Sequence, residues 1–137
     1  MSIKEKEQEI IDEFALYDDW MDKYEYIIEL GKDLPLIEAQ YKTKDRLIKG
    51  CQSQVWLHAD CKDNKMKFSA DSDAIITKGI IALLIRVVND ESPADVATSE
   101  FKFIKEIGLQ EHLSPTRSNG LVSMVKDMKL NALKAVK

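Results

Sequence analysis

With 137 residues, 45% of them apolar and 32% charged, the chain is too apolar for a disordered segment and too short for two ordinary domains. One domain over residues 1–137 is expected, able to bury about two thirds of the surface its unfolded chain exposes. A net charge of −4 offers no general basic field for nucleic acid or an anionic membrane, and no apolar run approaches the roughly 20 residues of a membrane span.

The opening residues, Met1-Ser2-Ile3-Lys4-Glu5-Lys6, show no apolar core of a signal peptide. Two cysteines without such a leader point to a reducing compartment, so a cytoplasmic protein with free thiols is expected.

Along the chain, Ser2 followed by Glu5 forms a capping box, and Ile3, Ile10, Ile11 and Phe14 come after it at helical spacing. Asp18-Asp19 can cap a second helix carrying Trp20, Tyr24, Ile27 and Ile28, stopped at Gly31. Pro35 keeps Leu34 out of helical geometry, and a polar stretch, Tyr41 to Arg46, leads to Leu47-Ile48-Lys49-Gly50-Cys51. From Val55 the period becomes two. Val55, Leu57 and Ala59 share one strand face, with Trp56, His58 and Asp60 on the other. A turn at Cys61-Lys62-Asp63-Asn64 then leads to the alternation of Met66, Phe68 and Ala70, which completes an antiparallel hairpin.

Asp71-Ser72-Asp73 supplies N-cap candidates for a helix running from Ile75 and Ile76 to Val87 and Val88, apolar on nearly every side and therefore buried. Ser92-Pro93 opens a short helix, and Phe101 to Ile107 forms another, closed by Gly108. After a break at Ser114-Pro115, Ser118 can cap a last helix with Leu121, Met124, Val125, Met128 and Leu133 facing inward. One central block of strands between helices makes the fold class α+β.

Cys51 carries the chemical argument. It stands after Gly50 at a chain reversal beside a strand, with polar Gln52, Ser53 and Gln54 after it, and loops held by a rigid scaffold tend to carry function. Against this, free cysteine is among the most buried residue types and often acts as a small hydrophobe. Cys61, among Asp60, Lys62 and Asp63, is expected to be an exposed bystander, since nearby carboxylates oppose thiolate formation. A disulfide between the two would span a strand and suits neither the compartment nor the geometry. Cys51, Cys61, His58 and His112 could supply zinc ligands by number, but no CxxC or HxxxH spacing supports it. His112 instead suits a local cap. No P-loop, GxGxxG or GxSxG is present. On residue type alone, Asp73 reads as a helix cap and Arg117 as a surface charge.

Gly50-Cys51-Gln52-Ser53-Gln54-Val55-Trp56-Leu57 resembles the central signature of the SufE family of sulfur acceptors. Three further segments are similar in order: Tyr24 to Gly31 with Leu34-Pro35, Asp71-Ser72-Asp73-Ala74 with Lys78 to Ala82, and His112 to Leu121. The match runs roughly from Trp20 to Met128.

The resemblance implies a SufE/IscU-like α+β fold, a small antiparallel sheet with helices around it. It implies that Cys51 accepts persulfide sulfur from a pyridoxal-phosphate-dependent cysteine desulfurase, SufS-like or CsdA-like, and stimulates it. Arg117 and Asp73 would lie near Cys51. Arg117 would support either the thiolate or the persulfide, and Asp73 would mainly cap its helix. Sulfur would pass to a SufBCD-like scaffold for iron–sulfur cluster assembly. No cofactor of the chain's own is implied, and a covalent acceptor and activator describes it better than an enzyme. It would act as monomer or homodimer, sheltering Cys51 under apolar side chains until a partner docks. SufE-type and CsdE-type pairing both stay open. An IscU-type cluster scaffold, which wants about three cysteine-like ligands, and a thiol redox sensor, which wants a resolving cysteine, are the alternatives.

Overall fold

The structure is a computed structural model describing residues 2–136; Met1 and Lys137, the ends of the expected domain, lie outside it. Ser2 and Glu5 close their capping box, Glu5 N–H donating to Ser2 Oγ at 3.2 Å and Ser2 N–H to Glu5 Oε1 at 3.3 Å. They start α1 (Ile3–Phe14), which buries Ile3, Ile10 and Phe14. Asp19 caps α2 (Trp20–Gly31) by accepting from Asp22 N–H at 2.9 Å. The polar stretch folds into two 3-10 turns, Ala39–Tyr41 and Lys44–Arg46.

β1 (Val55–Lys62) and β2 (Lys65–Ser72) form the antiparallel hairpin, in register from Val55 opposite Ser72 to Lys62 opposite Lys65. Asp63 and Asn64, at φ 54° and 59°, make the two-residue turn whose left-handed geometry matches strand twist. Cys61 is therefore the seventh residue of β1, opposite Met66, rather than part of the turn, and it is exposed. Flanking chain covers both edges in part. Ile48 N–H donates to Val55 O at 2.8 Å, Ile37 N–H to Ala70 O at 3.0 Å, and Met66 N–H to Glu91 O at 2.8 Å.

α3 (Ile75–Val88) packs across this hairpin and along α2, with Ile80 to Ile85, Val87 and Val88 buried. The helices touch backbone to backbone where Gly79 crosses α2. A Cβ on Gly79 would fall 2.1 Å from the Ile27 carbonyl oxygen. α4 (Pro93–Thr98), α5 (Lys102–Glu106) and α6 (Pro115–Ala135) complete an α+β architecture with helices around a two-stranded sheet. Polar ties join the ends. Lys6 pairs with Glu91 at 2.5 Å and donates to Asn89 O at 2.7 Å, and Arg86 of α3 bonds Glu9 and Glu13 of α1.

Three further expectations are corrected. The last helix begins at Pro115, not after Ser118. Ser114 is its N-cap, accepting from Arg117 N–H at 3.4 Å, and proline is free in a first turn because no N–H is needed there. Leu133 points outward at 60% exposure. None of Asp71, Ser72 and Asp73 caps α3 in the usual way: Ala74 holds the N-cap position without a side-chain bond, because the hairpin claims the aspartates. Asp71 accepts from Lys42 at 2.8 Å and from Ser72 N–H at 2.8 Å, and Ile75, at the helix start, is exposed.

Candidate functional site

Gly50 makes the reversal before Cys51 with φ +90°, a region that favours glycine, and a side chain there would collide with Ser123 of α6. The loop is thus seated directly on the last helix. Cys51 lies half-buried against Gly120 of the same helix, its Sγ–H donating to Gly120 O at 3.7 Å. A Cβ on Gly120 would stand 3.4 Å from that sulfur, so the glycine leaves room for the thiol. Gly120, Ser123 and Asp127 recur at helical spacing and form the face of α6 turned to the loop.

The sulfur opens into a pocket of about 270 Å³. The pocket is lined by Gln52 and Ser53, by Thr77 and Ile80 of α3, and by Ser114, Thr116 and Arg117 at the start of α6. Arg117 is exposed in the first turn of α6 and lines the same cavity as Cys51. That turn is anchored from behind. His112 stacks on Trp20 at 4.0 Å, its Nδ1 meets Gly108 O at 2.9 Å, and the Tyr24 hydroxyl donates to the His112 carbonyl. His112 therefore serves as a local tie.

Asp73 stands at the base of the loop. Gln54 N–H donates to its Oδ1 at 3.1 Å, and its own N–H donates back to Gln54 O at 3.3 Å. This two-way tie, rather than a helix cap, pins the C-terminal end of the Cys51 loop to the end of β2. The structure thus brings Cys51 and Arg117 to one cavity, whereas Asp73 does not line it and reaches the site only through its tie to Gln54.

Burial pushes the Cys51 thiol up from its ordinary 9.0, and the negative charge of Asp127 pushes the same way. Asp127 is half-buried, and burial raises its own pKa from 3.8 against a smaller lowering by Lys134. Neither Gly120 nor Asp127 stands out in the sequence as a site residue. An isolated glycine inside a helical pattern is a usable signal for the first. No local signal exists for the second.

His58, on the outer face of β1, stacks on Tyr41 at 3.9 Å and accepts from Arg46 Nε at 3.1 Å, and it does not line the Cys51 cavity. Among the described residues, no cluster of three or more His, Cys, Asp or Glu side chains is placed to hold a metal ion, and no helix is long and apolar enough to cross a membrane.

Comparison with known proteins bears on this geometry. The family model of the SufE "Fe-S metabolism associated domain" matches residues 8–132. An uncharacterised SufE-like protein of Rhizobium etli is 41% identical over 129 residues, 90% of this chain and 87% of the relative. Another, from Rhizobium meliloti, is 40% identical, covering 90% of this chain and 92% of its own length. SufE-like protein 1 of Arabidopsis thaliana, chloroplastic/mitochondrial, is 36% identical over 93% of this chain, which spans 35% of that longer protein. The solution structure of a hypothetical protein from Thermus thermophilus superposes with a TM-score of 0.79 at 21% identity, covering 95% of both chains, a likeness of fold alone.

Proposed function

Because this chain belongs to the SufE family, whose domain is associated with Fe–S metabolism, we propose that Cys51 accepts persulfide sulfur from a cysteine desulfurase. The supporting observation is the placement of Cys51, a half-buried thiol opening into a small cavity that Arg117 also lines. On this reading residues 1–137 act as one SufE-like domain in the cytoplasm, as a covalent acceptor and activator rather than an enzyme.

The transfer balances as thiol–persulfide exchange. The Cys51 thiolate attacks the outer, sulfane sulfur of the donor's cysteine persulfide. A new S–S bond forms at Cys51, the donor's S–S bond breaks, and the donor cysteine leaves as thiolate. Attack on the inner sulfur would join the two proteins by a mixed disulfide, so docking must present the outer atom. The pyridoxal phosphate belongs to the donor enzyme. The product persulfide carries a negative charge at neutral pH, and Arg117 supports it, since the free thiol is shifted up rather than down. Asp73 holds the loop that presents the sulfur. Delivery then goes to a SufBCD-like scaffold.

The test is intact mass after incubation with a SufS-like desulfurase and cysteine. One added sulfur, about 32 Da, located on Cys51 and absent from Cys51→Ser supports the reading. Equal sulfur loading of Cys51→Ser, or loading on Cys61, overturns it.

A further inference from the structure

The opposite flank of α6 carries an apolar surface that sulfur transfer does not use. Val122, Leu130 and Leu133 are 52%, 44% and 60% exposed, and together with Val125 and Ala97 of α4 they line a groove of about 420 Å³. Its ionised groups are both cationic, Lys126 and Lys129, on a chain whose net charge is −4. From Val122 to Leu133 the groove tracks eleven residues of helix, about 16 Å. Lys129 lies nine residues beyond Gly120, which at about 100° per residue is half a turn of the helical wheel from the Cys51 face.

We propose that this groove docks an acidic amphipathic helix of a partner protein, and that it does so without covering Cys51. Apolar anchors at i, i+3, i+4 and i+7 of such a helix fill the space between Ala97, Val125 and Leu133, while flanking glutamates meet Lys126 and Lys129. The cationic rim selects against a second copy of this chain. A two-fold axis that paired two such grooves would bring four lysines, Lys126 and Lys129 from each copy, into one interface.

The experiment uses the whole chain and two fluorescein-labelled 18-residue helical peptides. Both have leucines at the four anchor spacings; one is flanked by glutamate and the other by lysine. Anisotropy is expected to show the glutamate peptide binding at least tenfold more tightly. Leu133→Asp and, separately, Val122→Asp should each weaken it about tenfold with the melting temperature unchanged, and Lys126→Glu with Lys129→Glu should reverse the preference. Four results overturn the proposal: equal binding of the two peptides, indifference to both aspartate substitutions, a dimer in sedimentation that Leu133→Asp dissolves, or phosphatidylglycerol vesicle binding that Leu133→Asp abolishes. Labelling of Cys51 by iodoacetamide should proceed at the same rate with the glutamate peptide bound; protection of Cys51 would also count against it.

Discussion

The thiol of Cys51 and the carbonyl oxygen of Gly120 stand 3.7 Å apart, with the Sγ–H donating. That bond exists only while the sulfur keeps its proton. Burial and the Asp127 carboxylate favour the same protonated state, so both hold Cys51 towards the thiol rather than the thiolate.

Alkylation of Cys51 by iodoacetamide, monitored by mass spectrometry, should reach half its limiting rate above pH 9.0, the ordinary thiol value. Asp127→Asn should lower that midpoint and speed labelling severalfold at pH 8. The folded thiol titrates above the unfolded one, so stability falls as pH rises from the unfolded value towards the folded one. Cys51→Ser should remove that part of the alkaline loss. An unchanged labelling profile in Asp127→Asn would show that the carboxylate has no hold on the thiol.

Asp127 has its own signature. Its pKa is raised by burial, so the native state prefers the protonated acid, and the ionised form weakens the fold above that pKa. Asp127→Asn should therefore raise the melting temperature at pH 7, with the gain fading as pH falls from the raised folded value towards 3.8 and absent below it, where both states keep the proton.

Asp73 is predicted to act through the loop. Asp73→Ala leaves the Gln54 N–H without its acceptor, at a cost of about 1 kcal/mol, and should quicken Cys51 alkylation by freeing the loop. Asp73→Asn keeps an oxygen in place and should restore the slow rate. Failure of that rescue would mean charge matters more than the bond.

Arg117 is exposed and makes its fold contribution through its backbone N–H, so Arg117→Ala should melt within about 0.5 kcal/mol of the parent. The same variant should take up sulfur from a desulfurase at least tenfold more slowly, with Arg117→Lys intermediate. Parent-like uptake by Arg117→Ala, timed by quenched mass spectrometry, would remove Arg117 from the site.

Gly79→Ala should be the most damaging single methyl in the chain core. The added carbon would fall 2.1 Å from the Ile27 carbonyl, a backbone atom that cannot rotate aside. Separating α2 from α3 should cost about 3 kcal/mol, and thermal melting should show it as a drop of about 10 °C. A near-parent melting temperature would mean that the two helices slide apart freely.

Much of the fold is set by neighbours in the chain. The capping box at Ser2 and Glu5 depends on bonds between residues three apart, the alternation through Val55 to Ala59 marks a strand before its partner is known, and of the turn expected at Cys61 to Asn64 the last two residues, Asp63 and Asn64, make the reversal. Ser114 is one exception, as are the expected caps at Asp71, Ser72 and Asp73. Ser-Pro marks a break and a helix start equally well, and only the packing of the next turns against the Cys51 loop selects the latter.

Which side chain meets the thiol is a different kind of question. Periodicity and the Gly50 to Leu57 octet single out Cys51, because spacing and residue type are written along the chain. Its acceptor lies 69 residues away and its charged neighbour farther still, while Asp73, though a candidate cap by type, is taken by the loop instead. Burial and charge at the sulfur arise from segments that meet only after α6 folds back over the hairpin, and no local pattern of residues records that meeting.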